Sequence, residues 1–387
     1  MSAYFQMGHD TENLIGEIDL QDFKGIILSP LNRVQIELQK DIEKFRYQGK
    51  YEIIFDSQLY FPRSLRGKLS EHPYYPSDLD TADISSHSWW KRINTSLSEY
   101  VQKLGVNAVT SPVVHPRSWS DDYYAICAET SNDLSEKING TGIRSLTTAM
   151  INIHQLTENE IYRITSILTD IETSGFYIVI SSDIEPRREF SDPKELFGIM
   201  ILINELKNAG FDVIVSHCSS DMVLYKSAGA DHCATCKFFN LRRFTKSRWD
   251  EPSGGGGILP YWFEHSLLSF IRESDLLRLI NRGYGNLIRQ NYSDNYWSGI
   301  TINQFQNEPG KPWVGHSWRQ YMSWFGKTES FLSNKKAIVS VKDWLKSSEN
   351  NWLALEDDGI LFEEPRNNGS WIRPWRQALN DFIKKYS

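Results

Sequence analysis

The stretch 211–244, FDVIVSHCSSDMVLYKSAGADHCATCKFFNLRRF, decides the fold. It reads as an apolar strand, a short helix, a turn around Gly229, and a second apolar strand followed by a basic segment. Two continuous apolar runs joined by a helix are typical of a parallel βαβ unit. Ligands bind beyond the carboxyl ends of such strands. This unit therefore places at one rim His217, Cys218, Asp221, Lys237, Asn240, Arg242 and Arg243.

The same unit recurs along the chain. Apolar runs followed by helical or loop segments predict five earlier strands, within 25–33, 51–63, 106–116, 147–155 and 175–188. The run GGILPYWFEHSLLSFI (256–271) supplies the eighth strand and its helix. Eight strand-then-helix units predict a (β/α)8 TIM barrel. A doubly wound open sheet is the alternative, but no glycine-rich dinucleotide turn follows the first strand.

Helix-capping residues, and the tryptophans that recur in the last hundred residues, indicate the domain organisation. Gly105 is placed to end a helix, Thr157 with Glu160 forms a capping box, and Asp192 before Pro193 begins another helix. Beyond about 286, tryptophans recur among helical stretches. We expect a barrel with an N-terminal extension over 1–286, and a helical extension packed on it over 287–387. The tryptophans favour a core role over base stacking.

Composition excludes several classes of protein. The 387 residues are 40% apolar and 13% aromatic, which supports a large core and excludes disorder. The net charge of −7 argues against nucleic-acid binding by bulk charge, so any such binding needs a local basic face. No apolar run is long enough for a bilayer, and the N-terminus lacks a signal pattern. We expect a cytoplasmic protein with no membrane association and no cofactor.

Asp56 is the strongest candidate for a catalytic group. It ends the wholly apolar strand EIIF, so it is expected in a poorly solvated mouth where the pKa of a carboxyl rises towards a useful general-base value. Alternatively, it caps the following loop at Ser57 and Gln58. The other catalytic candidates are Asp183 and His217. Candidate substrate-binding residues at the strand ends are Ser57, Gln58, Tyr60, Ser111, His154, Ser182, Lys237, Asn240, Arg242 and Arg243.

The basic run KFFNLRRFTKSR (237–248) is followed by a glycine-rich segment, SGGGG (253–257). Barrels commonly bind phosphate at this place, because arginines grip phosphate and successive glycine amides form an anion nest. Arg187 and Arg188 are candidates to help hold it. The alternative is a solvated or salt-bridged loop with a flexible linker.

Three of the four cysteines lie in 218–236, with His217 and His232 nearby. Cys-x-x-Cys is the usual half of a zinc site, but Cys233 and Cys236 fall on a predicted strand and so point to opposite faces. We expect buried, reduced cysteines and no metal site. A nucleophilic Cys233 beside His217 is the weaker alternative, because nothing marks its pKa as lowered.

The strand IIFDSQLYFP (53–62) resembles the strand of tRNA-guanine transglycosylases that ends in Asp-Ser-Gly-Gly-Phe-Gln. In that family the aspartate is a catalytic carboxylate at the base pocket of a (β/α)8 barrel, which implies base recognition and proton transfer at Asp56 and Ser57. The segment GADHCATCKFFNLRRF (229–244) is placed like the family's Gly-Val-Asp-x-Phe-Asp-Cys segment, which carries the nucleophilic aspartate. Here Ala234 stands near that position, so no covalent aspartate is carried over. No cysteine follows Cys236, so the family's zinc signature is missing.

The resemblance is closest to the branch associated with 7-deazaguanine insertion into DNA and with phage-defence loci. It implies a transglycosylase-like enzyme that acts on a nucleobase or N-glycosidic bond of a nucleotide or nucleic acid, in DNA modification or antiviral defence. The missing nucleophile favours a second hypothesis, a recognition or scaffold subunit with protein partners in a larger assembly. A third, a metal-dependent hydrolase using His115, His154, His217 and Asp183, lacks an adjacent ligand pair.

Overall fold

Eight parallel strands close into a ring, in chain order. The computed structural model describes residues 2–9, 11–12, 14, 22–49, 51–64, 67–250, 261–285, 295–307, 314–333, 337–364 and 367–386. Tyr4 pairs with Ala234 and Phe5 with Thr235, which joins the first strand to the last. The (β/α)8 barrel is therefore confirmed. Its strands are β1 (Ala3–Gln6), β2 (Phe23–Leu28), β3 (Glu52–Phe55), β4 (Ala108–Thr110), β5 (Arg144–Asn152), β6 (Gly175–Ser181), β7 (Asp212–Val215) and β8 (His232–Thr235).

The prediction of an eighth barrel strand within 256–271 is wrong. β9 (Tyr261–Glu264) and β10 (Ser269–Arg272) instead form an antiparallel hairpin apart from the barrel sheet. The turn is fixed by Glu264, whose carboxylate accepts hydrogen bonds from the Trp262 ring nitrogen at 2.9 Å and the Ser266 hydroxyl at 2.8 Å. The apolar run thus pairs with itself, and the ring is completed by β1.

An α-helix follows each of the six strands β2 to β7 before the next barrel strand, and these helices cover the barrel. The expected Gly105 terminus is confirmed, with φ 67°, as is the cap at Thr157, whose hydroxyl accepts a hydrogen bond from the Glu160 amide. Asp192 caps its helix in the same way. The helices are α1 (Gln35–Gln48), α2 (His87–Leu104), α3 (Asp121–Ile138), α4 (Glu158–Leu168), α5 (Pro193–Asn208), α6 (Met222–Ser227), α7 (Glu273–Leu279), α8 (Tyr296–Asn307), α9 (Val314–Leu332), α10 (Ala337–Asp357) and α11 (Ile372–Tyr386). Among the described residues, no helix is long and apolar enough to cross a membrane.

The C-terminal helices pack directly on the barrel. α9 lies against β1, β8 and α6, and α11 lies against α5. The Trp375 ring nitrogen donates to the Phe190 carbonyl at 2.7 Å, which ties α11 to the segment after β6. The core role expected of the tryptophans is confirmed for four buried ones, Trp324, Trp352, Trp371 and Trp375. Trp313 lies outside the described residues.

Candidate functional site

Asp56 follows β3 and lies buried at the carboxyl end of the barrel, the mouth, with 1% of its surface exposed. The Tyr60 hydroxyl lies 3.0 Å from both carboxylate oxygens, and the Tyr177 hydroxyl lies 3.4 Å from one of them. The Gln58 amide donates to the same carboxylate at 3.0 Å. Burial raises the pKa of Asp56 to about 6, and these donors, with the positive charge of Arg248, oppose the rise. Asp56 therefore changes protonation close to neutral pH.

Two strained residues flank this carboxylate. Gln58 and His217 both have φ of 55°, and in the described part of the chain only Leu268 shares this conformation among non-glycine residues. The Gln58 side-chain oxygen accepts from the Ser29 hydroxyl at 3.0 Å and the Leu31 amide at 3.1 Å, which holds the strained turn in place. Backbone strain of this kind costs of order 1–3 kcal/mol per residue and clusters at functional sites. Its location after β3 and β7 marks the mouth as the candidate site.

His217 is a buried, neutral hydrogen-bond acceptor. Burial holds the pKa of His217 well below its usual value, and the charge of Arg248 lowers it further. The Ser216 hydroxyl donates to the Ile178 carbonyl, so it accepts the hydrogen on Nδ1 of His217, 3.0 Å away. The lone pair on Nε2 then accepts a hydrogen bond from the Gln6 amide nitrogen, 2.8 Å away. The ring is therefore neutral, and both of its nitrogens have hydrogen-bond partners.

Arg248 enters the mouth from a short helical turn, Lys246–Trp249. Its guanidinium donates to the Ser29 hydroxyl at 3.2 Å and lies 3.5 Å from Nε2 of His217. Only 4% of the residue is exposed, and burial lowers the pKa of Arg248 to about 10 against the opposing charge of Asp56. Arg248 is not among the candidates predicted from the sequence, although it is the last residue of the basic run 237–248. Its inward direction depends on contacts with distant parts of the chain.

Four aromatic side chains close the mouth above Asp56, and we call Tyr60, Phe61, Phe244 and Trp249 the aromatic cover. The Tyr60 ring lies 5.1 Å from Phe244 and 5.6 Å from Trp249, and Phe61 lies 5.2 Å from Trp249. The His115 ring stacks on Phe61 at 5.0 Å. Apart from Tyr60, the cover was missed, because aromatic residues in loops carry no periodic signal. It separates the polar mouth from solvent.

Ser57 and Ser111 also follow barrel strands and are buried, but their contacts are structural. The Ser57 carbonyl accepts a hydrogen bond from the Tyr74 hydroxyl at 3.0 Å. The Ser111 hydroxyl accepts from the Thr148 amide at 3.0 Å, and the Thr148 hydroxyl donates to the Ser111 carbonyl at 2.6 Å. These bonds join β3 and β4 to neighbouring parts of the barrel.

Three further candidates form no hydrogen bond or ion pair with the Asp56 network in the part of the chain that the structure describes. Asp183 is exposed, and Ser182 accepts from the Ile184 amide at 2.8 Å within its own turn. His154 is exposed and lies 2.7 Å from the Glu195 carboxylate. Their assignment to the site stays a prediction that these contacts do not support.

Arg242 and Arg243, the candidate phosphate ligands, have side chains that point inward and are 2–3% exposed. The Arg242 guanidinium donates to the carbonyls of Cys236 at 2.9 Å and Lys237 at 2.7 Å, and lies 3.7 Å from the centre of the Tyr321 ring. Arg243 lies 3.4 Å from Glu189 and 3.9 Å from Asp221. Buried guanidinium groups need such partners, so these contacts support the fold.

The remaining rim candidates are placed as follows. Lys237 is buried, with its ammonium 4.2 Å from the centre of the Trp318 ring. The Asn240 side chain and Ser253–Gly257 lie outside the described residues. Phosphate binding at this rim therefore stays a prediction.

The cysteines Cys218, Cys233 and Cys236 are buried and free, as expected of small apolar side chains. Burial raises the pKa of Cys218 well above its usual value and that of Cys236 in the same direction, which disfavours a reactive thiolate at either position. Within the described ranges, no group of three His, Cys, Asp or Glu side chains is arranged to hold a metal ion.

Neither the protein-family models nor the curated proteins give a match to this sequence. Among solved structures, the chain is similar to the type I 3-dehydroquinate dehydratase of Clostridium difficile, at 11% identity over 64% of this chain and 88% of that one, with a TM-score of 0.36. A D-psicose 3-epimerase is 12% identical over 86% and 100% of the two chains, with a TM-score of 0.39. A D-tagatose 3-epimerase-like protein is 12% identical over 63% and 92%, with a TM-score of 0.37. No tRNA-guanine transglycosylase is among these three, and similarities at this level assign no family or activity to the chain.

Proposed function

We propose that this chain is a (β/α)8-barrel enzyme in which Asp56 acts as a general acid and base at the mouth, on a nucleobase or N-glycosidic bond of a nucleotide or nucleic acid. The observation that carries the proposal is the buried Asp56 carboxyl, whose pKa is raised to about 6. A group that titrates near the working pH is the most effective proton donor and acceptor. The strained backbone at Gln58 and His217 supports the same location.

The proposed step is a hydrolysis or base exchange without a covalent carboxylate intermediate. Asp56 in its neutral form donates its proton to the departing nitrogen of the base as the bond to the sugar breaks. A water molecule or incoming base then bonds to the sugar carbon and returns one proton to the Asp56 carboxylate. Ala234 lies on β8 where the transglycosylase resemblance expects the nucleophile, so no side chain is assigned that role.

Asp56→Asn separates this function from a loop-capping role. The assay follows release of free base from nucleosides, nucleotides and short oligonucleotides by chromatography. We expect the variant to lose activity by roughly 10²–10⁴-fold, because the amide cannot transfer the proton. Asp170→Asn is the control, since this exposed carboxyl precedes β6 and so lies at the opposite end of the barrel from the mouth. Full activity of Asp56→Asn, or equal losses in both variants, would remove Asp56 from the mechanism.

A second candidate function is supported by the closed mouth. Asp56, Tyr60 and Phe244 are each 1% exposed, so within the described ranges the side chains at the mouth are shielded from solvent. A barrel whose mouth is filled by its own side chains fits a recognition or scaffold subunit of a protein assembly. This alternative predicts no base release by the wild-type protein with any of the substrates above. It also predicts that Asp56→Asn leaves capture of protein partners unchanged.

A further inference from the structure

A small cavity lies where the barrel meets the β9–β10 hairpin and the C-terminal helices. Its walls come from the segment after β6, the turn after β8, the hairpin and the residues just before α11. Four aromatic side chains line it, Phe239, Tyr261, Phe270 and Trp371. Its volume of about 30 Å³ is room for about two water molecules, or for the two oxygens of one carboxylate group. None of its described lining residues belongs to the Asp56 network, so the cavity is separate from the mouth.

Two hydrogen-bond donors of this cavity have no acceptor in the part of the chain that the structure describes. Trp371 is 5% exposed, and its ring nitrogen is unpaired. The Arg187 guanidinium is exposed at the rim, 5.5 Å from the centre of the Phe239 ring and 5.7 Å from that of Tyr261, and has no carboxylate partner among the described residues. A buried donor without an acceptor is unfavourable. The cavity therefore favours a ligand that accepts hydrogen bonds.

Two carboxyl groups also line the cavity, and each has a cation beside it. Glu189 lies 3.4 Å from the Arg243 guanidinium. Burial raises the pKa of Glu189, against the opposing charge of Arg243, so this carboxyl holds a proton more readily than an ordinary glutamate. Glu364 accepts a hydrogen bond from the Tyr261 hydroxyl at 3.4 Å and lies 3.8 Å from Arg272. Neither carboxyl leaves an uncompensated negative charge to repel an anion from Arg187.

The available donors fit a planar oxyanion. A guanidinium group pairs with a carboxylate through two parallel hydrogen bonds, and an indole N–H donates one more to a remaining lone pair. The Asn367 side chain, which also lines the cavity, does not compete for the ligand. Its oxygen accepts from the Ser269 hydroxyl, and its nitrogen donates to the Phe270 carbonyl at 2.7 Å. The donors left for a ligand are therefore Arg187 and Trp371.

We propose that this cavity binds the carboxylate group of a small organic acid, with the Arg187 guanidinium and the Trp371 ring nitrogen as its donors. The small volume takes the carboxylate alone, so the rest of the acid extends past Arg187 into solvent. Arg187 belongs to the barrel and Trp371 to the helical extension, so the bound carboxylate joins these two parts of the chain. The binding is non-covalent, needs no other reactant and does not depend on the chemistry proposed at Asp56.

The indole N–H signals in the NMR spectrum of the full-length protein test this site directly. Sodium acetate, titrated at neutral pH, should shift the Trp371 signal with saturation at a roughly millimolar Kd, as suits so small a ligand. Trp371→Phe assigns the signal, because it removes the N–H and keeps an aromatic wall. Arg187→Gln should weaken binding roughly tenfold, because the charge-assisted hydrogen bonds are lost. Arg188→Gln is the matched control, since this exposed neighbour does not line the cavity, and it should leave the Kd unchanged.

Thermal unfolding covers the case in which Trp371→Phe does not fold. Acetate should raise the melting temperature of the wild-type protein more than chloride at the same ionic strength, and this rise should be smaller in Arg187→Gln than in Arg188→Gln. Equal rises in the two variants, or a Trp371 signal that does not saturate, would overturn the proposal. Tighter binding of inorganic phosphate than of acetate would also overturn it, because the site would then not select a carboxylate. Neither measurement uses catalysis, so failure of the proposed Asp56 chemistry would leave these results unchanged.

Discussion

At the scale of single residues, Asp56 links the stability of the fold to pH. Its pKa rises from 3.8 to about 6 on folding, so the folded state binds this proton more tightly than the unfolded state. The contribution is present below about pH 4 and is lost as pH rises through about 6. A shift of about two pKa units corresponds to at most about 3 kcal/mol of unfolding free energy. Ionised Asp56 therefore destabilises the protein at pH 8.

This linkage predicts that Asp56→Asn is more stable than wild type at pH 8, because the amide cannot ionise in the buried mouth. The difference in melting temperature should shrink as pH falls from 8 to 4. Thermal unfolding of both proteins over this range is the measurement. A variant that is less stable at every pH would indicate a capping carboxylate, since loss of such a cap costs about 1 kcal/mol without this pH dependence.

Tyr60 and Tyr177 provide a matched pair for the hydrogen bonds that oppose this shift. Tyr60→Phe removes a donor 3.0 Å from both Asp56 oxygens, whereas Tyr177→Phe removes one at 3.4 Å. A hydrogen bond to a charged group contributes roughly 1.5–3 kcal/mol, so Tyr60→Phe should raise the pKa of Asp56 by about 1–2 units. Tyr177→Phe should raise it less. Carboxyl titration by NMR checks both, and an equal or reversed order would contradict the geometry.

The residues that the sequence could reveal were those with a local signal. Asp56 was found because a carboxylate directly ends the apolar run EIIF. Arg248 and Ser29 are in contact although they are 219 residues apart in the chain, and no pattern in the sequence predicts that contact. Arg242 and Arg243 were candidate phosphate ligands because of their basic run, and only the tertiary fold supplies the partners with which they are buried.

At the scale of elements, the Lys246–Trp249 turn contributes Trp249 to the aromatic cover over the mouth. Trp249 packs on Tyr60, Phe61 and Phe244, so Trp249→Ala removes one of the four members of the aromatic cover. We expect a loss of about 3–5 kcal/mol in unfolding free energy and exposure of the residues beneath. Diethyl pyrocarbonate should then modify His217, which is 4% exposed in the intact protein.

Trp375→Ala is the control for that experiment. Trp375 is fully buried on α11, so its removal should cost a similar free energy without opening the mouth. Modification of His217 should therefore stay slow in this variant, as followed by peptide mass spectrometry. If both variants expose His217 equally, the reactivity reports general loosening of the fold and the turn has no special control of access.

The elements themselves were predictable to different degrees. Strands β2 to β8 are apolar runs followed by helix or loop signals, and the sequence places all of them. β1 has only four residues, AYFQ. It pairs with β2 and with β8, and β8 is far from it in the chain. The segment that forms the hairpin of β9 and β10 is a run of apolar residues, and in the sequence it looks the same as a barrel strand. Periodicity alone does not tell which run closes the ring.

At the scale of the whole molecule, the barrel depends on the C-terminal helices. α9 lies against β1 and β8, where the ring closes. Glu329 of α9 is fully buried and accepts hydrogen bonds from the Ser2 hydroxyl, the Lys226 ammonium at 3.1 Å and the Cys233 amide at 3.2 Å. One carboxylate of the extension thus joins the first strand, α6 and the last strand. We therefore do not expect 1–286 and 287–387 to fold as separate units.

This arrangement predicts that a 1–286 fragment will not form a stable barrel. Removal of 287–387 exposes the outer apolar faces of β1 and β8 and leaves the Lys226 ammonium, whose side chain is 2% exposed, without its Glu329 partner. Breaking one buried ion pair costs about 3–5 kcal/mol, a large fraction of the 5–15 kcal/mol by which domains are usually stable. The fragment should show weak near-ultraviolet circular dichroism and a broad, non-cooperative thermal transition.

Two comparisons make that experiment specific to the packing of α9. Co-expression of 1–286 with 287–387 should restore a cooperative transition, because the contacts between the pieces do not need a continuous chain. Full-length Glu329→Gln should fold but unfold at lower denaturant concentration, since the amide keeps the shape of the side chain and loses the charge that pairs with Lys226. A 1–286 fragment that melts cooperatively at the wild-type temperature would instead show an independent barrel, and would make the helical extension a separate attachment to it.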